Sequence, residues 1–108
     1  MSSTTITRKD YQAIVQPAGD VVAAQLPELR SALRGALAEG VREMTLDFSN
    51  VRMVDSTGLG LLISAHNSAR KAGGCLSVIH ASREILDLFQ SMRIHQHFSV
   101  AGDHQEDR

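Results

Sequence analysis

With 108 residues, of which 43% are hydrophobic, the chain is long enough for one domain with its own core, and the 4% aromatic content leaves that core to aliphatic side chains. The 11 Lys and Arg are scattered among 12 Asp and Glu, for a formal net charge of −1, so the basic stripe typical of nucleic-acid binding is missing. No apolar run reaches the roughly 18 residues of a membrane span, the N-terminus lacks an apolar signal segment, and the single Cys75 cannot form an intrachain disulfide. We therefore expect a cytoplasmic protein with neither a nucleic-acid nor a membrane partner.

The first elements are two short strands followed by an amphipathic helix. Residues 4–8 and 11–16 have strand composition, and a turn at residues 9–10 joins them. Pro17 to Asp20 ends the second strand, and Asp20 is a candidate cap for a helix over about residues 22–39. Leucines at 26, 29, 33 and 37 give this helix its apolar face, and Gly40 ends it. Pro27 leaves open whether the regular helix begins only there.

The second half alternates strands and helices. We predict strands at residues 44–48, 75–80 and 98–100, helices at 57–71 and 82–91 with Ser82 as N-cap, and Cys75 in the core. Residues 1–100 then form one domain, and residues 101–108 form a polar, frayed tail. After the opening hairpin, the β-α-β-α-β-α-β order predicts an α/β fold, a mixed and largely parallel sheet with helices packed on it. Ligands and partners of such sheets bind at the carboxyl ends of the strands, just before Ser56.

A cluster of capping residues stands at that point. Asp55, Ser56 and Thr57 all carry oxygens that accept hydrogen bonds from the first amides of a helix. The simplest interpretation is a well-capped helix. The same geometry also accommodates a phosphate, because the helix N-terminus attracts anions. A phosphate on Ser56 would add about 1.5 to 2 negative charges to an exposed loop without unfolding the domain.

The helix that follows has two faces at 100° per residue. We expect Leu59, Leu62, Ile63 and His66 to pack on the sheet, and Thr57, Gly60, Leu61, Ser64 and Ser68 to lie on the opposite, exposed arc. On that arc Leu61 would be an apolar anchor for a partner, or simply one exposed leucine. The candidate partner-binding residues are Asp55, Ser56, Thr57, Gly58, Gly60, Leu61 and Ser64.

The segment Val54-Asp55-Ser56-Thr57-Gly58-Leu59-Gly60-Leu61-Leu62 closely resembles the signature of STAS-domain anti-sigma factor antagonists, also called anti-anti-sigma factors. The match extends from about Gly19 to Val100, through Leu46-Asp47-Phe48, residues 71–74 and residues 85–89. The resemblance implies the STAS fold and a partner switch. The unphosphorylated protein binds an anti-sigma factor, a serine kinase of the histidine-kinase-like ATPase type, and so frees a sigma factor.

The resemblance also implies how the switch is set. Phosphorylation of Ser56 by the anti-sigma kinase would block binding, and a PP2C-type phosphatase would reverse it. Thr57 is the less favoured acceptor, and Asp55 would orient the loop and help the kinase recognise it. The chain departs from the family where Val22 replaces a common Asp, and it ends soon after Val100. Both departures leave open a partner-switch regulator of a non-sigma target, such as secretion or motility.

Other functions remain open or are disfavoured. STAS modules also occur as subunits of lipid-transport ABC systems, and direct nucleotide binding is a further alternative. An enzyme is disfavoured, because Ser56 has no predictable His base and no P-loop lysine follows Gly60. Asp47 lacks the acidic cluster of a receiver domain. It is better explained as a structural carboxylate bonded to loop amides. The five histidines and Cys75 have no zinc-site spacing, so we expect no metal and no cofactor.

Overall fold

Five strands and three α-helices make up the part of the chain that the computed structural model describes, residues 4–93 and 99–102. The strands are β1 (Thr5–Lys9), β2 (Gln12–Gln16), β3 (Glu43–Asp47), β4 (Cys75–Ala81) and β5 (Ser99–Gly102). The helices are α1 (Leu26–Ala38), α2 (Ser56–Lys71) and α3 (Arg83–Ser91), and a single 3-10 turn (Ala23–Gln25) leads into α1. The predicted order of elements is confirmed.

The strands form one mixed sheet in the order β1-β2-β3-β4-β5. β1 and β2 are an antiparallel hairpin whose turn includes Asp10 at a φ of 58°. The three other pairings are parallel, and a helix lies between each pair of parallel neighbours in the chain. Right-handed crossovers that all advance in one direction place their helices on one face of the sheet. The predicted α/β fold, a mixed and largely parallel sheet with helices packed on it, is therefore confirmed.

The core lies between the sheet and its helices. Alternate residues of the central strands point into it, as in Met44 and Leu46 of β3 and Leu76 and Val78 of β4, all at most 1% exposed. Phe48 and Phe89 meet edge to face, with ring centroids 6.5 Å apart, and aliphatic residues fill most of the remainder.

The opposite face of the sheet is mostly polar, with the exposed Ile14 among its side chains. Its cross-strand hydrogen bonds join Gln12 Nε2 to Glu43 Oε1 at 2.8 Å and Gln16 Nε2 to Asp47 Oδ2 at 3.2 Å. Cys75 belongs to this face, because it is paired with Glu43 and precedes the inward Leu76. Cys75 is exposed, so its predicted place in the core is wrong.

Helix ends follow their local signals with one exception. Pro27 occupies the first turn of α1, and Ser82 Oγ accepts a hydrogen bond from Ile85 N at 3.2 Å as the N-cap of α3. Gly40 and Gly73, at φ values of 97° and 88°, follow α1 and α2 in a backbone conformation that other residues rarely adopt. Asp20, however, does not cap a helix, because its carboxylate is bonded to the loop before α2.

The end of the chain also differs from prediction. β5 continues to Gly102, two residues into the segment that was predicted as a frayed tail. Phe98 and residues 103–108 lie outside the described residues, as do His95, His97 and His104. In the described ranges, no helix has both the length and the apolar character needed to cross a bilayer.

Candidate functional site

The candidate site lies at the carboxyl edge of the sheet, where the segments that follow β2 and β3 meet. Val21 and Val54 form an isolated parallel bridge. Val21 N donates to Met53 O at 3.0 Å, and Asp55 N donates to Val21 O at 3.2 Å. Because β2 and β3 are parallel neighbours, their exits lie side by side, and this bridge prolongs their pairing up to the start of α2.

Asp20 reinforces the junction from the β2 side. Its Oδ1 accepts hydrogen bonds from Arg52 N at 2.9 Å and Met53 N at 3.1 Å. These two amides belong to an irregular segment, and neither donates to a backbone carbonyl among the described residues. The carboxylate therefore fixes the approach to the motif, a contact across more than 30 residues that local capping rules do not anticipate.

Asp55 is the N-cap of α2 and binds three donors. Its Oδ1 accepts from Gly58 N at 2.9 Å and from Thr57 Oγ1 at 2.6 Å, and its Oδ2 accepts from Ala23 N at 3.1 Å. These bonds, the one from the Thr57 hydroxyl above all, lower the pKa of the Asp55 carboxyl below its ordinary value of 3.8. An ionised carboxylate with three donors acts as a structural hub.

The neighbouring hydroxyls of Ser56 and Thr57 differ in their bonding. Thr57 Oγ1 is held by Asp55, whereas Ser56 Oγ takes part in no hydrogen bond among the described residues, although both residues are exposed. Ser56 is also the first residue of α2, and neither its amide nor that of Thr57 donates to a described backbone carbonyl. Ser56 thus presents an accessible hydroxyl next to a helix N-terminus that favours an anion.

Gly58 has a packing role. It is buried, and a Cβ built on it would lie 2.3 Å from Val21 O and 2.9 Å from Val21 Cγ1. Only glycine allows α2 to approach the β2 segment this closely. The prediction that Gly58 offers a surface to a partner is therefore wrong. Gly60 and Ser64 are exposed, as predicted.

Leu61 was predicted as an exposed anchor, and this prediction is wrong. Its side chain is 8% exposed and belongs to the core cluster. The prediction took only the sheet as the packing partner of this helix. In the structure α2 also packs against α1, which covers the arc that contains Leu61. Leu59, Leu62 and His66 are buried and Ile63 is half-buried, in agreement with the predicted inner face.

Met53 is an apolar surface residue that the sequence analysis missed. It is 57% exposed and lies three residues before Ser56. The signal was available in part, because three of the four residues at 51–54 are apolar. Only the bridge between Val54 and Val21 shows which of them turn outward. Val22, at the position where the family resemblance implied an Asp, is half-buried beside this bridge.

The other candidate chemistry finds little support in the described residues. Asp47 Oδ1 accepts from Ser49 N at 3.0 Å and Ser49 Oγ at 2.5 Å, which confirms its prediction as a structural carboxylate bonded to a loop amide. No group of three or more His, Cys, Asp or Glu within residues 4–93 and 99–102 is arranged to hold a metal.

Comparison with known proteins identifies the class. Residues 4–101 match a family model described as "Mlab, STAS domain". The chain therefore belongs to the STAS domain family. Among its curated relatives is an anti-sigma-B factor antagonist of Staphylococcus epidermidis, 31% identical over 85 residues that cover 79% of this chain and 78% of the relative. A relative from Staphylococcus aureus, 30% identical over 87 residues that cover 81% of this chain and 79% of the relative, has the same name.

Solved structures share the fold at lower sequence identity. A structure from Thermotoga maritima described as an anti-sigma factor antagonist superposes with a TM-score of 0.84 at 15% identity, over 91% of this chain and 85% of that one. The Bacillus cell fate determinant SpoIIAA in its phosphorylated form gives a TM-score of 0.72 at 14% identity, over 95% of each chain. The resemblance inferred from the motif is confirmed at the level of family and fold.

Proposed function

We propose that this chain is a cytoplasmic anti-sigma factor antagonist and that phosphorylation of Ser56 controls its binding. In the unphosphorylated state it would bind an anti-sigma factor that is also a serine kinase of the histidine-kinase-like ATPase type. Phosphate on Ser56 would release that partner, and a PP2C-type phosphatase would restore binding. The anti-sigma-B factor antagonists among the relatives support the class of partner.

The observation that carries this proposal is the contrast between Ser56 and its neighbours. Asp55 accepts hydrogen bonds from Thr57, Gly58 and Ala23. Its lowered pKa makes it a poor base, and the Thr57 hydroxyl is bonded to it. Ser56 Oγ is the hydroxyl of the motif that takes part in no hydrogen bond among the described residues. This supports Ser56 over Thr57 as the phosphate acceptor and favours modification by an external kinase over catalysis within the chain.

The effect of a phosphate follows from what surrounds Ser56. The exposed side chain of Met53 provides apolar surface for a partner, taking the role first given to Leu61. A phosphate three residues away would add about 1.5 to 2 negative charges, next to the Asp55 carboxylate. Apolar docking would then require desolvation of that charge, while the N-terminus of α2 would tolerate it without loss of the fold.

Binding measurements test the proposal. Ser56→Ala serves as bait to isolate the kinase, and affinities for the purified kinase are then compared by calorimetry. Ser56→Ala should bind as the unmodified protein does and take up no phosphate by mass spectrometry. Ser56→Asp should bind more than about tenfold more weakly, a loss of about 1.4 kcal/mol. Asn67→Asp adds the same charge at an exposed position of α2 and should have little effect.

Two results would contradict the proposal. Equal affinity of the wild type and Ser56→Asp would exclude a switch at Ser56. If the bait instead retains a transporter ATPase that binds the wild type, Ser56→Ala and Ser56→Asp equally, the alternative of a STAS subunit of a lipid-transport ABC system is supported.

A further inference from the structure

A groove of about 100 Å³ runs between α1 and α2. Its lining consists of four pairs of residues, and the members of each pair are one helical turn apart. These pairs are Arg30 and Arg34, Leu33 and Leu37, Leu61 and Ala65, and Ser64 and Ser68. Because residues four apart share one face of a helix, each pair forms a continuous strip along the groove.

The strips differ in chemistry. The floor is apolar: Leu37 is half-buried and supplies its exposed surface, whereas Leu33, Leu61 and Ala65 are buried. Both arginines are exposed along one wall, and both serines are exposed along the other. An apolar floor between a cationic wall and a hydroxyl wall fits a segment that presents both aliphatic and acidic side chains.

The charges on the arginine wall are not balanced. Within residues 4–93 and 99–102, neither Arg30 nor Arg34 forms an ion pair with an acidic side chain. Like charges one turn apart repel each other and weaken a helix. Two guanidinium groups that face a groove and have no counter-charge in the described part of the chain are complementary to an anionic occupant. Each can bind a carboxylate through two parallel hydrogen bonds.

We propose that this groove binds an acidic, amphipathic helical segment of the partner kinase. This inference rests on the proposed function and adds a second contact region to it. Ser64 lies eight residues after Ser56, about 12 Å along α2 at 1.5 Å per residue, so one partner can reach both. Carboxylates one turn apart on the segment would meet Arg30 and Arg34, and an aliphatic side chain between them would lie on the floor.

A small anion is a poorer occupant than a protein segment. The arginine and serine walls could contact a phosphate, but the apolar floor between them offers it no hydrogen bond. The length of the strips also exceeds what one phosphate group contacts.

The test uses the kinase that Ser56→Ala retains. The variant Arg30→Gln/Arg34→Gln removes both charges from the wall but keeps long polar side chains. We expect it to bind the kinase at least about tenfold more weakly than the wild type, and the salt dependence of its affinity to be shallower. The control, Arg70→Gln/Arg93→Gln, removes the same charge from exposed positions outside the groove and should bind as the wild type does.

A second variant approaches the groove from the other wall. Ser64→Glu places a carboxylate opposite the arginines, where it should occupy them and repel an acidic segment. Because Ser64 is exposed, thermal melting should be little changed. Kinase binding by Ser64→Glu should fall about as much as in the double arginine variant.

The outcomes separate the two proposals. Loss of binding in Ser56→Asp, with full binding in both groove variants, would overturn the groove proposal and leave the proposed function intact. Failure of the wild type to bind any anti-sigma kinase would overturn both. Self-association of the wild type in sedimentation experiments, abolished by Arg30→Gln/Arg34→Gln, would assign the groove to a second copy of the chain and also overturn the proposal.

Discussion

Asp55 Oδ2 accepts a hydrogen bond from the backbone amide of Ala23 at 3.1 Å, although the two residues are 32 positions apart in the chain. The other oxygen of the same carboxylate caps α2 through Gly58 N. One side chain therefore joins the 3-10 turn that leads into α1 to the N-terminus of α2. The segment that carries Ser56 is held by tertiary structure as well as by its own helix.

Asp55→Asn should destabilise the domain. An Asn side chain has one acceptor oxygen, so it can satisfy Gly58 but presents an NH₂ group, a second donor, to Ala23 N. We expect a lower urea midpoint and faster hydrogen exchange at the Ala23 amide. Asp87→Asn is the control, because Asp87 is exposed and 3.9 Å from Arg83 in a surface pair. An unchanged Ala23 exchange rate in Asp55→Asn would contradict the hub role of the carboxylate.

The same carboxylate should make stability depend on pH in the acidic range. The hydrogen bonds from Thr57 and Gly58 lower its pKa in the folded state, so its contribution is present above the ordinary value of 3.8 and is lost as pH falls through the lowered pKa. The difference in urea midpoint between wild type and Asp55→Asn should therefore shrink on acidification below about pH 4. A difference that grows on acidification would contradict this sign, and the carboxyl pKa itself can be followed by NMR.

Gly58→Ala and Gly60→Ala should have opposite effects. A Cβ at Gly58 would lie 2.3 Å from the Val21 carbonyl oxygen, and the backbone there cannot move aside, so we expect a loss of about 1–3 kcal/mol. A Cβ at Gly60 meets nothing within 4 Å and replaces a helical glycine, which should stabilise by up to about 1 kcal/mol. Urea unfolding of both variants measures this contrast. Equal free energies of unfolding would show that α2 does not pack on Val21 this closely.

Leu61→Ala should behave as a core substitution. The side chain is 8% exposed, so we expect a loss of about 2–5 kcal/mol in the free energy of unfolding. Ser64→Ala, one turn before Ser68 on the exposed side of α2, should change stability by less than about 0.5 kcal/mol. A small effect at Leu61 would mean that α1 does not cover it, and would restore it as a surface anchor.

Negative charge at Ser56 should be compatible with the fold in the absence of any partner. Ser56→Asp places an anion in the first turn of α2, which typically stabilises by about 0.3–1 kcal/mol, towards the lower end here because Asp55 is adjacent. Ser56→Lys should destabilise by a similar amount, and added salt should reduce both effects. Marked unfolding of Ser56→Asp would show that charge acts by disrupting the domain rather than its docking surface.

Local patterns in the sequence were sufficient for the elements and their order. The buried side of α1 follows from the leucine spacing between Leu26 and Leu37, and that of β3 from the alternation around Leu46. The ends of α1 and α2 are indicated by the glycines that follow them. The parallel topology then follows from the order of elements. The position of Ser56 at the carboxyl edge of the sheet could be predicted for this reason.

Contacts between distant segments could not be predicted in the same way. Periodicity shows that a helix has an apolar face, but a second neighbour such as α1 widens that face, and Leu61 was misplaced as a result. Asp20 and Asp55 are good capping residues in any context. Only the bridge between Val21 and Val54 brings the amide of Arg52 within reach of Asp20 and that of Ala23 within reach of Asp55. Cys75 was misplaced for a simpler reason, since Leu76 and Val78 already define the inward side of β4.

The bond between Asp55 and Ala23 also bears on what the kinase would recognise as a substrate. A synthetic peptide spanning Val51 to Lys71 contains the whole motif but lacks Asp20, Val21 and Ala23. It therefore loses the bridge from Val21 to Val54 and the three hydrogen bonds made by the Asp20 carboxylate and the Ala23 amide. Such a peptide would not hold the Ser56 hydroxyl in this setting. The proposed acceptor is therefore a feature of the folded surface, and searches for short linear consensus motifs would be a poor guide to the substrates of the proposed kinase.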